Sequence, residues 1–263
     1  IYNGLSTLKF GSGTVFKNNS ATVSSETPGR ALVNGGAIYN TGAITFDTGR
    51  QVDDRTLFTG NLANGHANSI HMENGTLTIQ GDGIFDMRDP FSSNSGRDST
   101  IRKTGSGIWY LGGENTGSTL KINQGTLHLY AENDVENHYL DVNNQWIYKG
   151  VDAGQIHNLK SMTLGATATL VANGGNLLSG DNLSLTSGAS LKFKVTGNNL
   201  VNPVMVWDFQ NVFINRDGSY SIEIDKQFTD HGRYTLLNSL NNPIQFSLSQ
   251  MVLKVPDNDS SII

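Results

Sequence analysis

Residues 101–130 read IRKTGSGIWYLGGENTGSTLKINQGTLHLY and contain short apolar-polar alternations, each introduced by a glycine. Gly107 precedes the run Ile108–Leu111, and Gly125 precedes the run Thr126–Leu129. Alternation sends every second side chain to one face of a β-strand, and runs of roughly four to six residues are too short for helices. Gly and Asn tolerate the left-handed backbone that sharp corners require. The stretch therefore predicts short strands joined by tight corners.

The same glycine-led unit recurs along the chain. Further copies are Gly42–Phe46, Gly75–Ile79, Gly188–Phe193 and Gly218–Ile222, and Ile1–Asn3 is echoed by Ile38–Asn40. The alternation predicts an inward set of Leu77, Ile79, Leu127, Leu129, Leu191, Phe193 and Val195. It predicts an outward set of Thr78, His128, Lys192 and Lys194. Of Trp109 and Tyr110, one is expected in the core and the other outside.

Two all-β architectures can use such strands: a sandwich or barrel of antiparallel hairpins, and a solenoid whose turns stack strand on strand. Two-residue hairpin turns are scarce, with Asn74-Gly75 and Asp217-Gly218 the best examples. Successive segments instead resemble one another, which favours a solenoid with coils of about 20–25 residues.

The stretch 101–130 closely resembles the passenger-associated repeat of bacterial autotransporters. That repeat runs Lys-Thr-Gly-x-Gly, an apolar strand, Gly-x-Asn, a second strand and Gly-Thr-Leu-x-Leu. The corresponding parts of this chain are Lys103–Gly105, Gly107, Gly113–Asn115, Leu120–Ile122 and Gly125–Leu129. In addition, Phe16–Asn19 followed by Gly35–Ile38 resembles the paired motifs of polymorphic outer-membrane proteins, which are also autotransporters.

The resemblance implies a right-handed parallel β-helix with three-sided coils. It also implies a location at the bacterial cell surface or outside the cell, with the precursor anchored by an outer-membrane translocator barrel. The barrel is absent from this sequence, so residues 1–263 are expected to form a single β-helix passenger fragment. Contact with a membrane is expected only through that missing barrel.

Composition and charge argue against other classes of protein. The 263 residues carry a net charge of −5, and the 18 Lys and Arg are dispersed, which argues against a nucleic-acid partner. No apolar stretch approaches the ~20 residues of a membrane helix. There is no Gly-x-Ser-x-Gly motif, and the adjacent acids Asp53 and Asp54 are expected to be solvated loop residues. His66 and His71 lack Cys or Asp partners, so we expect no catalytic residue, metal or cofactor.

Two stretches, 50–71 and 131–160, lack the repeat unit and are predicted to be insertions, which often form the binding face of a solenoid. The second stretch contains Tyr139, Trp146 and Tyr148, aromatic residues suited to recognising sugars or proteins. The alternative is that Trp146 and Tyr148 belong to an irregular strand facing the core.

Basic residues are densest at Arg88, Arg97, Arg102 and Lys103. Such a patch can contact anionic glycans, which makes Arg97 and Arg102 further candidates for ligand binding. The alternative is a solvated loop.

These features favour an adhesin over an enzyme. We expect a passenger that mediates cell aggregation, biofilm formation or attachment to a host surface. Its partner would be a host surface protein, a glycan or another copy of the passenger. Charged residues make up only 16% of the chain, which limits repulsion between copies. The alternatives are a structural stalk that carries an upstream protease or other effector domain, and a glycan-degrading β-helix enzyme with two carboxylates about 6–10 Å apart.

Overall fold

The computed structural model describes residues 1–22, 34–94, 98–117, 119–140, 145–195, 202–215, 220–226, 235–241 and 251–254. Within these ranges every regular element is a β-strand. The strands are β1 (Tyr2–Asn3), β2 (Thr7–Phe10), β3 (Val15–Lys17), β4 (Ser20–Ala21), β5 (Ile38–Asn40), β6 (Ala43–Asp47), β7 (Arg55–Thr59), β8 (Leu62–Ala63), β9 (His66–Ala67), β10 (Ile70–Met72), β11 (Thr76–Gln80), β12 (Ile84–Met87), β13 (Phe91–Ser93), β14 (Thr100–Lys103), β15 (Ile108–Leu111), β16 (Glu114–Thr116), β17 (Thr119–Leu129), β18 (Glu136–Leu140), β19 (Trp146–Gly150), β20 (Gln155–Ala172), β21 (Asn176–Leu185), β22 (Ser190–Val195), β23 (Met205–Ile214), β24 (Tyr220–Lys226), β25 (Leu237–Ser239) and β26 (Met251–Lys254).

The strands form three parallel ladders that the chain visits in the same order again and again. The first ladder has two parts, β1-β5-β10-β13 and β16-β20-β21-β23-β25. The second runs β2-β6-β11-β14-β17-β20-β21-β23. The third runs β3-β7-β12-β15-β17-β20-β22-β24-β26. We call one strand from each ladder, taken in sequence, a rung.

Parallel pairing dominates, which argues against the antiparallel sandwich or barrel. Among the described residues only β8–β9 and β18–β19 pair antiparallel. Paired positions in uninterrupted rungs are 18 to 24 residues apart, as between Ile108 and Thr126 or Thr76 and Thr100. The predicted coil of 20–25 residues is therefore close to the observed repeat, although its lower bound is too high.

The predicted alternation is confirmed wherever the side chains are described. The inward residues Leu77, Ile79, Leu127, Leu129, Leu191 and Phe193 are at most 2% exposed. The Val195 side chain lies outside the described residues. Trp109 is fully buried and Tyr110 is partly exposed, as the strand period requires.

Aromatic rings form a continuous stack inside the first rungs. The ring centroids of Phe46 and Phe58 are 5.5 Å apart, those of Phe58 and Phe85 are 5.5 Å apart, and those of Phe85 and Trp109 are 6.3 Å apart. Such tilted and edge-on contacts stabilise beyond the area they bury. The core is therefore built by stacking like residues from one rung to the next.

Glycine introduces the strands because the corners of neighbouring rungs touch through their backbones. A Cβ added to Gly107 would lie 2.1 Å from the carbonyl oxygen of Gly83 on the rung before it. At Gly125 the φ angle is +76°, and a Cβ would lie 2.5 Å from the carbonyl oxygens of Gly105 and Gly107. Any side chain at these positions would force the rungs apart.

Buried asparagines occupy other corners and satisfy backbone carbonyls there. The Nδ2 of Asn3 donates to Oδ1 of Asn40 at 2.7 Å. The Nδ2 of Asn115 donates to the carbonyl of Gly113 at 2.9 Å, and that of Asn176 donates to the carbonyl of Gly154 at 3.0 Å. Because a buried carbonyl without a partner is costly, these amides stabilise turns that lack regular pairing.

The structure narrows both predicted insertions. Within 50–71, strand β7 belongs to the third ladder and Ile70–Met72 belongs to the first, so only residues 60–69 lie outside the ladders. Within 131–160, strand β20 begins at Gln155, so the segment outside the ladders is 131–154. In the described part of the chain, no helix has the length and apolar character that crossing a membrane requires.

Candidate functional site

The segment between β17 and β20 forms an antiparallel hairpin that holds three of the predicted binding residues. Strands β18 and β19 pair with Tyr148 opposite His138, Ile147 opposite Tyr139, and Trp146 opposite Leu140. Residues 146–148 thus form a strand, but it pairs with β18 and with no strand of a ladder. Tyr139, Trp146 and Tyr148 are brought together in one hairpin, whereas the alternative of an irregular ladder strand is wrong.

Asn137 anchors this hairpin to the body of the protein. Its side chain is fully buried, although it lies at the start of an excursion from the ladders. Its Nδ2 donates to Oδ1 of Asp89 at 2.8 Å, and its Oδ1 accepts from the hydroxyl of Thr59. In addition, Nη1 of Arg88 donates to the carbonyl of Glu136 at 2.8 Å. The base of the hairpin is therefore fixed by polar contacts that reach the rungs of β7 and β12.

Asp89 is the centre of this anchor and accepts five hydrogen bonds. The donors are the backbone N–H of Gly60 at 3.1 Å, the N–H and Nδ2 of Asn61 at 2.8 and 3.0 Å, the hydroxyl of Ser69 at 3.1 Å and Asn137 at 2.8 Å. Burial raises the pKa of the Asp89 carboxyl above its usual 3.8, and the five donors act in the opposite direction. With both oxygens occupied by protein donors, Asp89 is suited to hold structure and not to bind a ligand.

A second buried carboxylate, Asp86, lies on the outer face of the third ladder. Arg55 Nη1 and Arg88 Nε are 3.4 and 3.3 Å from its Oδ2, and the Tyr130 hydroxyl donates to its Oδ1 at 3.0 Å. Burial and the adjacent Asp86 charge raise the pKa of Tyr130 above its usual value, so the phenol stays protonated and donates. This cluster links the start of the hairpin segment to two earlier rungs.

Aromatic side chains surround His128 beside this cluster. The Tyr110 ring centroid is 4.7 Å from that of His128 and 5.3 Å from that of Tyr130. Burial lowers the pKa of His128 to about 4, so its imidazole is neutral at physiological pH. His128 was predicted to point outwards, and it does lie on the outer face, but the neighbouring rings cover much of it.

A groove of about 440 Å³ runs along the hairpin where it meets the third ladder. Its lining residues are Lys17, Leu57, Thr59, Arg88 and Glu136. The groove combines an apolar floor with charges of both signs, which suits a polar ligand or a short peptide segment held against the hairpin.

The predicted basic patch is dispersed by the fold. Arg88 pairs with Asp86, and Lys103 points into the core, where its Nζ donates to the carbonyls of Gly105 and Gln124 at 3.0 and 3.3 Å. Burial lowers the pKa of Lys103 to about 8. Arg97 lies outside the described residues, and Arg102 alone of the four is shown to be exposed. The cation next to Arg102 is Lys121 on the following rung, which sequence reasoning missed.

One hydroxyl and imidazole pair could in principle support nucleophilic catalysis. The Nδ1 of His71 is 2.8 Å from the Ser92 hydroxyl, and Asn68 donates to the same hydroxyl at 2.8 Å. The Nε2 of His71 has no hydrogen-bond partner, so no described carboxylate orients the ring as a hydrolytic triad would require. Asp53 is exposed in a turn, and no group of three potential metal ligands occurs in the ranges that the structure describes.

Comparison of the chain with protein-family models, with curated proteins and with solved structures finds no match. The site must therefore be interpreted from its own geometry.

Proposed function

We propose that this chain is an autotransporter passenger that acts as an adhesin at the bacterial surface. The three ladders would wind as a right-handed parallel β-helix, because connections between parallel strands are right-handed in about 98% of cases. In this proposal the ladders are the scaffold, and the hairpin β18–β19 is the element that binds a host surface protein, a glycan or another passenger.

The observation that carries the proposal is the hairpin itself. It interrupts an otherwise regular series, since Thr119 on β17 pairs with Ser161 on β20, 42 residues later, instead of about 20 residues later. It concentrates Tyr139, Trp146 and Tyr148, residue types that dominate binding energy at protein interfaces. A scaffold needs no such excursion for its own stability, and insertions from solenoids commonly form the binding face.

Surface display tests the proposal. The passenger would be displayed on non-adhesive bacteria, and clumping and attachment to host cells would be measured by sedimentation and microscopy. A triple variant with Tyr139, Trp146 and Tyr148 replaced by serine should lose most of the attachment or clumping. The matched control, Tyr2→Ser, removes a highly exposed tyrosine of the first ladder and should retain both activities.

Protease resistance of the displayed protein would establish that each variant is folded. If the folded wild-type passenger gives neither clumping nor attachment, the adhesive function is wrong. If the triple variant is as adhesive as the wild type, the hairpin is not the binding element.

A further inference from the structure

The outer face of the second ladder carries a strip of hydroxyl groups interrupted by two cations. Its outward positions on four successive rungs are Thr76, Thr78, Thr100, Arg102, Thr119, Lys121, Ser161 and Thr163. All eight are exposed or half-buried, while their inward neighbours form the core. We call these eight residues the hydroxyl strip.

The pairing register arranges the strip as two columns. Thr76, Thr100, Thr119 and Ser161 are directly paired from rung to rung, and so are Thr78, Arg102, Lys121 and Thr163. Neighbouring rungs are about 4.8 Å apart, and positions i and i+2 on one strand are about 6.6 Å apart. The strip is therefore a regular surface array that can contact an extended ligand at several points.

The polar groups of the strip are available for a ligand. None of its six hydroxyls makes a side-chain hydrogen bond to a described residue, and no described carboxylate lies within 4.0 Å of Arg102 or Lys121. The acid nearest in sequence, Asp98, is already paired with Lys160 at 2.5 Å. Two like charges directly opposite each other on adjacent strands repel. An anion placed between Arg102 and Lys121 would relieve that repulsion.

From this array we infer, resting on the adhesive function proposed above, that the hydroxyl strip binds an acidic polysaccharide, with a sulfate or carboxylate between Arg102 and Lys121. Serine and threonine hydroxyls both donate and accept hydrogen bonds, so they match the many hydroxyls of a sugar chain. The guanidinium and ammonium groups match its sulfates or carboxylates.

The composition of the strip favours a glycan over other polyanions and over proteins. Proteins that bind single-stranded nucleic acids stack bases on aromatic side chains, and the strip has none. Protein interfaces depend on buried aromatic or aliphatic anchors, which the strip also lacks. A flat, hydroxyl-rich surface with two cations provides many weak contacts and one charged contact, as an extended acidic sugar requires.

Isothermal titration calorimetry with purified protein and heparin oligosaccharide tests the inference. The double variant Arg102→Gln/Lys121→Gln should bind about tenfold more weakly, because two exposed ion pairs are lost. The matched control is Lys9→Gln, which removes the same charge on the same face but three rungs away from Arg102. The control should change affinity by less than about twofold, since its charge is separated from the pair by more than a Debye length. Unchanged thermal unfolding would show that the variants are folded.

Several outcomes would overturn the inference. It fails if heparin does not bind, or if Lys9→Gln weakens binding as much as the double variant does. It also fails if neutral dextran binds equally well, or if duplex DNA binds as tightly as heparin in the same salt. Because the net charge of −5 disfavours non-specific attraction of a polyanion, a loss confined to the double variant identifies a local site.

The hairpin variant separates this inference from the proposed function. If the triple serine variant loses adhesion but still binds heparin, the hairpin and the strip are distinct binding elements and both proposals stand. If the displayed wild type does not adhere but the purified protein binds heparin, the adhesive function fails alone.

Discussion

Replacing Asn137 with alanine tests how the hairpin β18–β19 is held on the third ladder. The substitution removes one of the five donors to Asp89 and the acceptor of the Thr59 hydroxyl, both in buried surroundings. A hydrogen bond to a charged group contributes about 1.5–3 kcal/mol, and a neutral one contributes about 1 kcal/mol. Water entering the vacated space offsets part of this, so we expect a loss of about 2–3 kcal/mol.

The loss should be local. The remaining four donors to Asp89 come from residues 60–69, so the ladder side of the anchor persists while the hairpin side is released. A cost of 2–3 kcal/mol corresponds to a rise of about 30- to 150-fold in the equilibrium constant for opening the hairpin. Hydrogen exchange followed by mass spectrometry measures this directly, because peptides from 136–150 and from 155–172 report on the hairpin and on the ladders separately.

Asn182→Ala is the matched control, since its Nδ2 donates only a 3.3 Å bond to the Lys160 carbonyl on an outer face. We expect this control to leave exchange in the hairpin unchanged. The reasoning is refuted if Asn137→Ala leaves exchange in 136–150 within about twofold of the wild type. It is refuted equally if the ladder peptides are deprotected as much as the hairpin, because the anchor would then belong to the global fold.

Three further substitutions test the core, a corner and the buried imidazole. Trp109→Ala should lower the free energy of unfolding in urea by about 3–5 kcal/mol, whereas Tyr110→Ala on the same strand should cost clearly less, because only the first leaves a core cavity. Gly107→Ala should lower the thermal midpoint in calorimetry, because its Cβ would lie 2.1 Å from the Gly83 carbonyl; a midpoint equal to that of the wild type would contradict the stacked corner. Burial lowers the pKa of His128 to about 4 from 6.5, so stability present above pH 6.5 is lost as pH falls towards 4. His128→Gln should therefore show a smaller drop in thermal midpoint between about pH 7 and pH 5 than the wild type shows.

The strand pattern was predictable because it depends on local burial. The period-two alternation at Leu77 and Ile79 or at Leu127 and Leu129 is set by which face meets the core, and the structure confirms it. The partners in the ladders also follow from repetition, since like segments stack on like segments. The uneven spacing of the repeat was not predictable, because insertions change the length of a rung without changing its strands.

Lys103 shows where charge alone misleads. It was placed in a surface patch because lysine is normally exposed, yet the alternation Ile101, Arg102, Lys103 assigns it to the same face as Ile101. The strand period was the stronger signal, and the buried ammonium is satisfied by the corner carbonyls of Gly105 and Gln124.

The anchor of the hairpin could not be found from sequence. Asn137 and Asp89 are 48 residues apart, and Asn137 and Thr59 are 78 residues apart, so no local pattern joins them. The pairing of Arg102 with Lys121 likewise requires the ladder register. Sequence reasoning identified the residue types that suit binding, but their grouping is a property of the three-dimensional arrangement.

The rung-to-rung pairing has a mechanical consequence. Each strand of a ladder pairs only with the strands immediately before and after it, so a pulling force applied at one end acts on the outermost rung alone. Rungs would detach one after another, each releasing about 70 Å of extended chain for a repeat near 21 residues, as between Thr169 and Ser190. The rung that contains the hairpin would release about twice as much, which would make it recognisable in a force trace. A molecule built this way absorbs work in small, repeated steps and can lose its end without losing the rest.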